Sequence, residues 1–224
     1  MFCIIYQGSS FISVMTQPYL GPAYRIETER LIVRCYDPKD APLLQKSVQE
    51  SIEHLRPWLP WVKTEPEELK VKVERLRMFR AKFDMSEEYF YGVFDPSETE
   101  LIGGTGLHPR IGLNAFEIGY WVNVNHINKG YATEFSAALT KVAFEIENVY
   151  RVEIHCDPDN VYSAAIPKKL GYMYEATLRG RTETIEGTLS DSMIWSILSE
   201  EYLNSPSSKA KILAYDALGK LIIS

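Results

Sequence analysis

The feature that most constrains this chain is a glycine-containing turn between a predicted strand, residues 116–122, and a predicted helix. Residues 125–134 read Asn-His-Ile-Asn-Lys-Gly-Tyr-Ala-Thr-Glu, and apolar residues at helical spacing follow. The first turn of a helix has amide N–H groups without intrahelical partners, and the helix dipole adds about half a positive charge there. Gly130 and Ala132 leave the backbone accessible, and Lys129 adds a positive charge. The turn therefore predicts a site for a diphosphate-bearing cofactor, although a glycine there is also consistent with ordinary turn chemistry.

A second segment, residues 159–172, favours the cofactor site. It reads Asp-Asn-Val-Tyr-Ser-Ala-Ala-Ile-Pro-Lys-Lys-Leu-Gly-Tyr. Together, the two segments resemble the acetyl-CoA-binding core of the Gcn5-related N-acetyltransferase (GNAT) superfamily, where a Gln/Arg-x-x-Gly-x-Gly/Ala turn precedes Asn-x-x-Ser and Lys-Leu-Gly-Phe/Tyr. The first pattern reads Ile127-Asn-Lys-Gly130-Tyr-Ala132 here, with Ile127 in place of the basic or amide residue. The second pattern is complete, with Asn160, Ser163, Lys169, Leu170, Gly171 and Tyr172.

Hydrophobic spacing and turn residues predict the order β-α-α-β-β-β-α-β-α-β-β. The predicted strands are residues 30–36, 89–94, 101–107, 116–122, 151–155, 172–181 and 188–198, and the predicted helices are residues 40–52, 67–82, 130–147 and 160–170. This order is that of the GNAT fold, so the resemblance implies an α/β (α+β) protein with a mixed, mostly antiparallel sheet flanked by helices. The single domain spans residues 26–202, with residues 1–25 as an N-terminal extension and residues 203–224 as a C-terminal tail.

Two local features carry expectations of their own. Pro167 is tolerated only near the start of a helix, which predicts that Tyr162 or Ser163 caps the helix of residues 160–170. Gly103-Gly-Thr-Gly106 is similar to a dinucleotide-binding loop, but it lies within a strand pattern and no helix follows it. A glycine-rich strand near a ligand, or a bulge, is therefore expected there.

Composition and charge limit the expected partners and location. A formal net charge of −6 disfavours nucleic acid, whose phosphates require a basic surface. No stretch approaches the roughly 18 apolar residues of a membrane helix, and no Lys or Arg precedes Arg25 as a secretory signal would require. The cysteines Cys3, Cys35 and Cys156 are scattered, which indicates reduced thiols, and the histidines have no metal-ligand spacing. We therefore expect a cytoplasmic protein that uses no metal, membrane or nucleic acid; Met15 is an alternative start.

The resemblance implies which residues hold acetyl-CoA. Backbone amides of the turn bind the pyrophosphate, while the end of the preceding strand pairs with the pantetheine arm and faces the thioester carbonyl as an oxyanion hole. Asn160 binds the pantetheine amide region; the alternative is an ordinary helix-start residue. The implied cofactor-binding residues are Tyr120, Trp121, Val122, Asn128, Lys129, Gly130, Tyr131, Ala132, Thr133, Asn160 and Ser163.

Three further segments resemble the ribosomal-protein N-terminal acetyltransferases, the RimJ/RimL-like subgroup. They are Trp58-Leu-Pro-Trp61, Glu117-Ile-Gly-Tyr-Trp121 and Asp191-Ser-Met-Ile-Trp195. The resemblance implies Glu183, four residues before Gly187, as the general base, and Ser163 as the acid that protonates the leaving thiolate. Thr182 and Glu186 compete with Glu183 by position.

Glu117 is the alternative base, since several GNAT branches use a carboxylate on the strand before the turn. Strand alternation puts Glu117 and Trp121 on one face, and burial beside aromatic side chains is expected to raise the pKa of Glu117 toward neutrality. Trp58, Trp61 and His108 are the candidate acceptor-binding residues, although tryptophans beside prolines are equally consistent with core packing.

The expected function is acetyl-CoA-dependent transfer of acetyl to a primary amine, with a protein N-terminal α-amine as the leading acceptor. An aminoglycoside, a polyamine or another small molecule is the alternative acceptor. A catalytically silent acyl-CoA-binding module is the alternative outside enzymes. Ile127 favours the silent module, whereas Ser163, Asn160 and the two glutamates favour an enzyme. The sequence is compatible with a monomer and with a homodimer.

Overall fold

The computed structural model describes residues 21–224, so Cys3 and the alternative start at Met15 lie outside the described residues. The helices are α1 (Ala41–Leu55), α2 (Leu69–Asp84), α3 (Tyr131–Glu145), α4 (Val161–Leu170) and the single turn α5 (Ser199–Tyr202). The strands are β1 (Arg25–Glu27), β2 (Ile32–Cys35), β3 (Tyr89–Phe94), β4 (Leu101–His108), β5 (Ala115–Val122), β6 (Arg151–Cys156), β7 (Met173–Glu183), β8 (Leu189–Leu198), β9 (Leu213–Tyr215) and β10 (Leu221–Ile223). The predicted helices and strands are confirmed, with ends shifted by a few residues.

One sheet joins all of these strands in the order β10-β9-β1-β2-β3-β4-β5-β6-β8-β7. Neighbouring strands are antiparallel, except for β5 and β6, which are parallel. The prediction of a mixed, mostly antiparallel sheet flanked by helices is confirmed.

Strand alternation gives the sheet two apolar faces. On β3, Tyr91 and Val93 pack in the cluster that contains Phe135 and Leu139 of α3. Phe94, on the opposite face, packs in the cluster that contains residues of α1 and α2. Successive side chains of a strand point to opposite faces. The sheet is therefore covered by α1 and α2 on one face and by α3 and α4 on the other.

The start of α4 differs from the sequence-based expectation. Asn160 caps this helix, because its side-chain oxygen accepts a hydrogen bond from the Ser163 amide at 3.0 Å. Pro167 lies inside the helix, and Gly171 ends it in the left-handed conformation. The prediction that Tyr162 or Ser163 is the cap was wrong, since Pro167 is accommodated in the helix by a contact from another element, described below.

The C-terminal segment also differs from the expected tail. β9 pairs with β1, and β10 pairs with β9, so the chain returns to the edge of the sheet opposite β7. The Lys141 ammonium on α3 donates to the Ala210 carbonyl, and Ile212 and Ala214 are buried in the α3 cluster. Residues 203–224 thus complete the α3 side of the core, and their short strands carry no long periodic pattern that identifies them in the sequence.

Residues 103–106 lie within β4, as the strand pattern predicted. A side chain at Gly104 would lie 2.5 Å from the indole nitrogen of Trp121 and 2.9 Å from the Tyr36 hydroxyl. The glycine therefore permits aromatic side chains to lie directly on the strand. Within residues 21–224, no helix is both long enough and apolar enough to cross a membrane.

Candidate active site

The strands β5 and β6 pair over only part of their length. Their parallel ladder runs from Ala115 opposite Arg151 to Glu117 opposite Glu153 and stops there. β5 continues to Val122 and β6 to Cys156. Residues 118–122 and 154–156 thus border an opening in the middle of the sheet, here called the β5–β6 gap.

Backbone alternation shows which groups of β5 face the gap. The Tyr150 amide donates to the Asn114 carbonyl on the β6 side, whereas the Asn123 amide donates to the Ile102 carbonyl on the β4 side. Because successive residues of a strand direct their peptide groups to alternate sides, the N–H and C=O groups of Ile118, Tyr120 and Val122 point into the gap. An extended amide-containing chain in the gap can pair with them as an added strand would.

The predicted phosphate-binding turn joins β5 to α3. Asn128 and Gly130 adopt the left-handed conformation, with φ of 59° and 79°, and α3 begins directly after Gly130. Asn128, Lys129 and Gly130 are exposed. The amides of Tyr131, Ala132 and Thr133 form the first turn of α3, where no intrahelical acceptor is within reach. The six residues therefore present backbone donors toward solvent at the positive end of a helix.

Arg30 contacts this turn, and the sequence did not identify it as a residue of the site. Its guanidinium donates to the Lys129 carbonyl at 2.9 Å, forms an ion pair with Glu134 at 2.6 Å and lies 4.7 Å from the centre of the Tyr131 ring. No local pattern connects residues about a hundred positions apart. Arg30 places a cation beside a turn in which Ile127 supplies none.

The second predicted motif meets β5 across the gap. The hydroxyl of Tyr120 lies 3.0 Å from Ser163 Oγ and donates to the Ser163 carbonyl at 3.3 Å. Burial raises the pKa of the neighbouring Cys156 thiol to about 11, and a hydrogen bond with Ser163 acts in the opposite direction. The structure therefore brings Tyr120, Cys156 and Ser163 together, while the side-chain oxygen of Asn160 is used as the helix cap.

A cavity of about 900 Å³ opens on the face of the sheet covered by α1 and α2. Its aromatic wall contains Trp58, Trp61, Phe79, Phe90 and Trp121, so it is called the aromatic cavity below. The Trp61 and Trp121 rings meet edge to face at 6.2 Å.

His108, the third candidate acceptor residue, also lines the aromatic cavity. Its Nδ1 lies 2.8 Å from Glu88, which fixes the ring. The two candidate tryptophans and His108 thus share one cavity, and Gly119, Tyr120 and Cys156 connect it to the β5–β6 gap.

Glu117 lies at the closed end of the gap and is held by Arg110. The guanidinium donates to both carboxylate oxygens, at 2.8 and 2.5 Å. Burial acts to raise the pKa of Glu117, but the hydrogen bonds from Arg110 and the neighbouring positive charges outweigh it, and the pKa is lowered. The expectation that burial moves this pKa toward neutrality was wrong, because the sequence did not reveal the partner.

Glu183 lies at the end of β7, exposed at the rim of the aromatic cavity. Thr182, its competitor by position, lines the same cavity.

His155, on β6, is a further residue of the aromatic cavity. Its Nε2 lies 2.5 Å from Glu153 and its Nδ1 3.4 Å from Glu117. Among residues 21–224, no three potential ligands are grouped so as to hold a metal ion.

Comparison with known proteins identifies the family. The acetyltransferase (GNAT) domain matches residues 30–173. The chain belongs to the GNAT family. It is 29% identical over 150 residues to the uncharacterised N-acetyltransferase YnaD of Bacillus subtilis (strain 168), covering 67% of this chain and 83% of the relative. It is 25% identical over 184 residues to the [ribosomal protein uS5]-alanine N-acetyltransferase of Escherichia coli (strain K12), covering 81% and 94%.

The solved structures agree with this assignment. The microcin C7 self-immunity acetyltransferase MccE, in complex with acetyl-CoA and AMP, superimposes with a TM-score of 0.70 over 76% of this chain and 93% of its own, at 18% identity. The GNAT fold of this chain is thereby confirmed, and so is its membership of a family of N-acetyltransferases that use acetyl-CoA.

The residues of the site fit coenzyme A. A side chain at Gly130 would project into open space, with Arg30 Nη2 at 3.6 Å as its nearest neighbour. The turn therefore leaves room for an anionic group to approach the first turn of α3. The unpaired edge of β5 offers main-chain groups at Ile118, Tyr120 and Val122 for the amides of a pantetheine arm. The first feature suits a diphosphate, and the second suits an extended chain with two amides.

Proposed function

We propose that this GNAT enzyme acetylates the α-amine of a protein N-terminus. The observation that carries the proposal is the connection between the β5–β6 gap and the aromatic cavity. The cofactor-binding turn and α4 lie on one side of the sheet, and the cavity opens on the other. A cavity of about 900 Å³ with an exposed rim accommodates the end of a peptide rather than only a small amine. The E. coli relative named for the alanine terminus of uS5 supports this choice.

In this proposal, the turn and α3 hold the cofactor through backbone amides. Asn128, Lys129 and Gly130 with Tyr131, Ala132 and Thr133 surround the pyrophosphate. Tyr120 and Val122 pair with the pantetheine arm, the Trp121 side chain forms part of the cavity wall, and the Asn160 amide group binds the arm from α4. Bound acetyl-CoA supplies the thioester carbon that the amine attacks.

Two side chains, Glu183 and Ser163, transfer protons in this proposal. Glu183 accepts one from the ammonium group, which frees the nitrogen lone pair, and Ser163 Oγ gives its proton to the departing sulfur. The nitrogen then returns a proton to Ser163 Oγ, so that one proton in total leaves the site. Glu117 is the second candidate base. The lowered pKa caused by Arg110 supports Glu183, because a carboxylate held at both oxygens accepts a proton less readily.

An acceptor panel tests the proposal through the thiol that the reaction releases. The panel contains a peptide with a free N-terminal alanine, the same peptide with a blocked N-terminus, a polyamine and an aminoglycoside. Release with the free peptide alone supports the proposal. Release only with a small amine assigns the enzyme to small molecules. Binding of CoA without release for any amine indicates a silent acyl-CoA-binding module.

A further inference from the structure

The proline inside α4 leaves one helix carbonyl without its usual donor. Proline has no N–H, and in a helix the missing hydrogen bond is the one to the carbonyl four residues earlier. For Pro167 that carbonyl belongs to Ser163. The Tyr120 hydroxyl occupies the position, donating to the Ser163 carbonyl at 3.3 Å and lying 3.0 Å from Ser163 Oγ. A phenol from β5 thus replaces the missing helix donor and reaches the proposed acid at the same time.

Tyr120 is suited to act as a donor here. Its ring packs edge to face on the buried Phe135 ring, with centroids 6.0 Å apart. Burial raises the pKa of Tyr120 well above its ordinary value, so the hydroxyl keeps its proton. A protonated phenol has one hydrogen to donate, and the carbonyl oxygen and Oγ of Ser163, at 3.3 and 3.0 Å, share it.

The Ser163 hydroxyl also reaches a sulfur atom. The thiol of Cys156, the last residue of β6, lies beside it at the border of the gap, and Ser163 acts to lower the pKa that burial raises for this thiol. Ser163 Oγ therefore lies between a phenol on one side and the gap, where sulfur can be placed, on the other.

We propose that Tyr120 is a positioning residue for Ser163, its hydroxyl donating to Ser163 Oγ and thereby directing the serine proton toward sulfur in the gap. The inference rests on the proposed role of Ser163 as the acid. When the O–H bond of Ser163 breaks and the proton moves to sulfur, the electron pair stays on Oγ. The Tyr120 proton stabilises that charge until the nitrogen of the new amide returns a proton to Oγ. No other reactant is required.

The first test compares Tyr120→Phe and Ser163→Ala, singly and combined, by turnover and by calorimetric affinity for CoA. Tyr120→Phe keeps the ring and is expected to lower kcat about 5- to 10-fold, the loss of one hydrogen bond. The affinity for CoA and the KM for the amine should change less than two-fold. In the Ser163→Ala background, Tyr120→Phe should have no further effect on kcat.

Tyr172→Phe is the matched control, because it removes another buried phenol hydroxyl whose hydrogen-bond partner, at 2.7 Å, is Thr140 rather than Ser163. Its turnover per folded molecule should stay within two-fold of the unmodified protein.

The second test needs no cofactor. A double-mutant cycle on urea unfolding should show that Tyr120→Phe and Ser163→Ala are coupled, with the effect of either on the unfolding equilibrium constant reduced several-fold in the presence of the other. Additive effects would mean that the two hydroxyls do not interact, which overturns the proposal.

The kinetic results distinguish a failure of the positioning role of Tyr120 from a failure of the acid role of Ser163. If Ser163→Ala slows turnover and Tyr120→Phe does not, the positioning role is wrong and the acid assignment stands. The acid assignment itself fails if Ser163→Ala retains full turnover. Tyr120 has another role, and the inference is overturned, if Tyr120→Phe lowers kcat equally with and without Ser163. The same conclusion follows if Tyr120→Phe lowers the affinity for CoA.

Discussion

Glu147, two residues after α3, is expected to make the stability of this protein depend on pH. Burial raises the pKa of Glu147 from its ordinary value of 4.5 to about 7, although a hydrogen bond from Tyr89 at 3.1 Å acts in the opposite direction. Its second carboxylate oxygen is buried without a partner. The folded state therefore binds a proton that the unfolded state has already released between these pH values.

The sign and size of the effect follow from this difference. Because the folded state binds more protons than the unfolded state between about pH 4.5 and 7, the free energy of unfolding falls as the pH rises through this range. The difference between 4.5 and about 7 corresponds to at most roughly 3 kcal/mol at pH 8. We expect Glu147→Gln to raise the free energy of unfolding by about 1 to 3 kcal/mol at pH 8 and by much less at pH 5.

Urea unfolding at pH 5, 6, 7 and 8 measures this directly, with equal m-values as the check that only stability has changed. Glu87→Gln is the control, since the Glu87 side chain is exposed, and the difference between it and the unmodified protein should not vary with pH. A gain from Glu147→Gln that is the same at every pH would refute the linkage. A loss of stability at pH 8 would show that the charged carboxylate is stabilised in the fold.

Three other predictions test the cofactor turn, the general base and a buried ion pair. Gly130→Val should abolish most of the CoA-induced rise in Tm, because Gly130 has a φ of 79° and a branched side chain there would fill the space that we propose for the pyrophosphate; a folded variant with unchanged CoA affinity would contradict the turn assignment. Glu183→Gln should lower turnover by roughly 100-fold, while the CoA affinity stays unchanged and the residual rate rises with pH. If Glu183→Gln keeps full activity and Glu117→Gln loses it, the base lies on β5. Lys72→Met should cost up to about 3 to 5 kcal/mol of stability, because it removes the nearest cation from the buried Glu65 carboxylate and leaves it only Arg75 at 3.8 Å. Glu65→Gln in the same chain should restore most of the loss; equal losses in the single and double variants, measured by urea unfolding, would show that packing rather than charge dominates.

Local sequence determined most of the helices and strands and the glycine-containing turn before α3. Amphipathic spacing and turn residues are properties of neighbouring residues, so strands such as β5 and helices such as α3 were predictable from the chain alone. The same holds for the left-handed Gly130, where a glycine is followed directly by a helical pattern. The motif from Asn160 to Tyr172 likewise identified α4, and it offered a helix-start role for Asn160 as the alternative to cofactor binding.

Contacts between distant residues decided the rest. The Ser163 carbonyl, which the interior proline of α4 leaves without a helix donor, accepts a hydrogen bond from Tyr120 on β5. Arg110 reverses the pKa shift that burial alone gives Glu117, and Arg30 supports the turn from about a hundred residues away. The C-terminal strands find their place only by pairing with β1. The sequence therefore specified which backbone donors and side chains the site contains. Only the fold decided their protonation, orientation and partners, because those depend on charges and hydrogen bonds that sequence spacing does not encode.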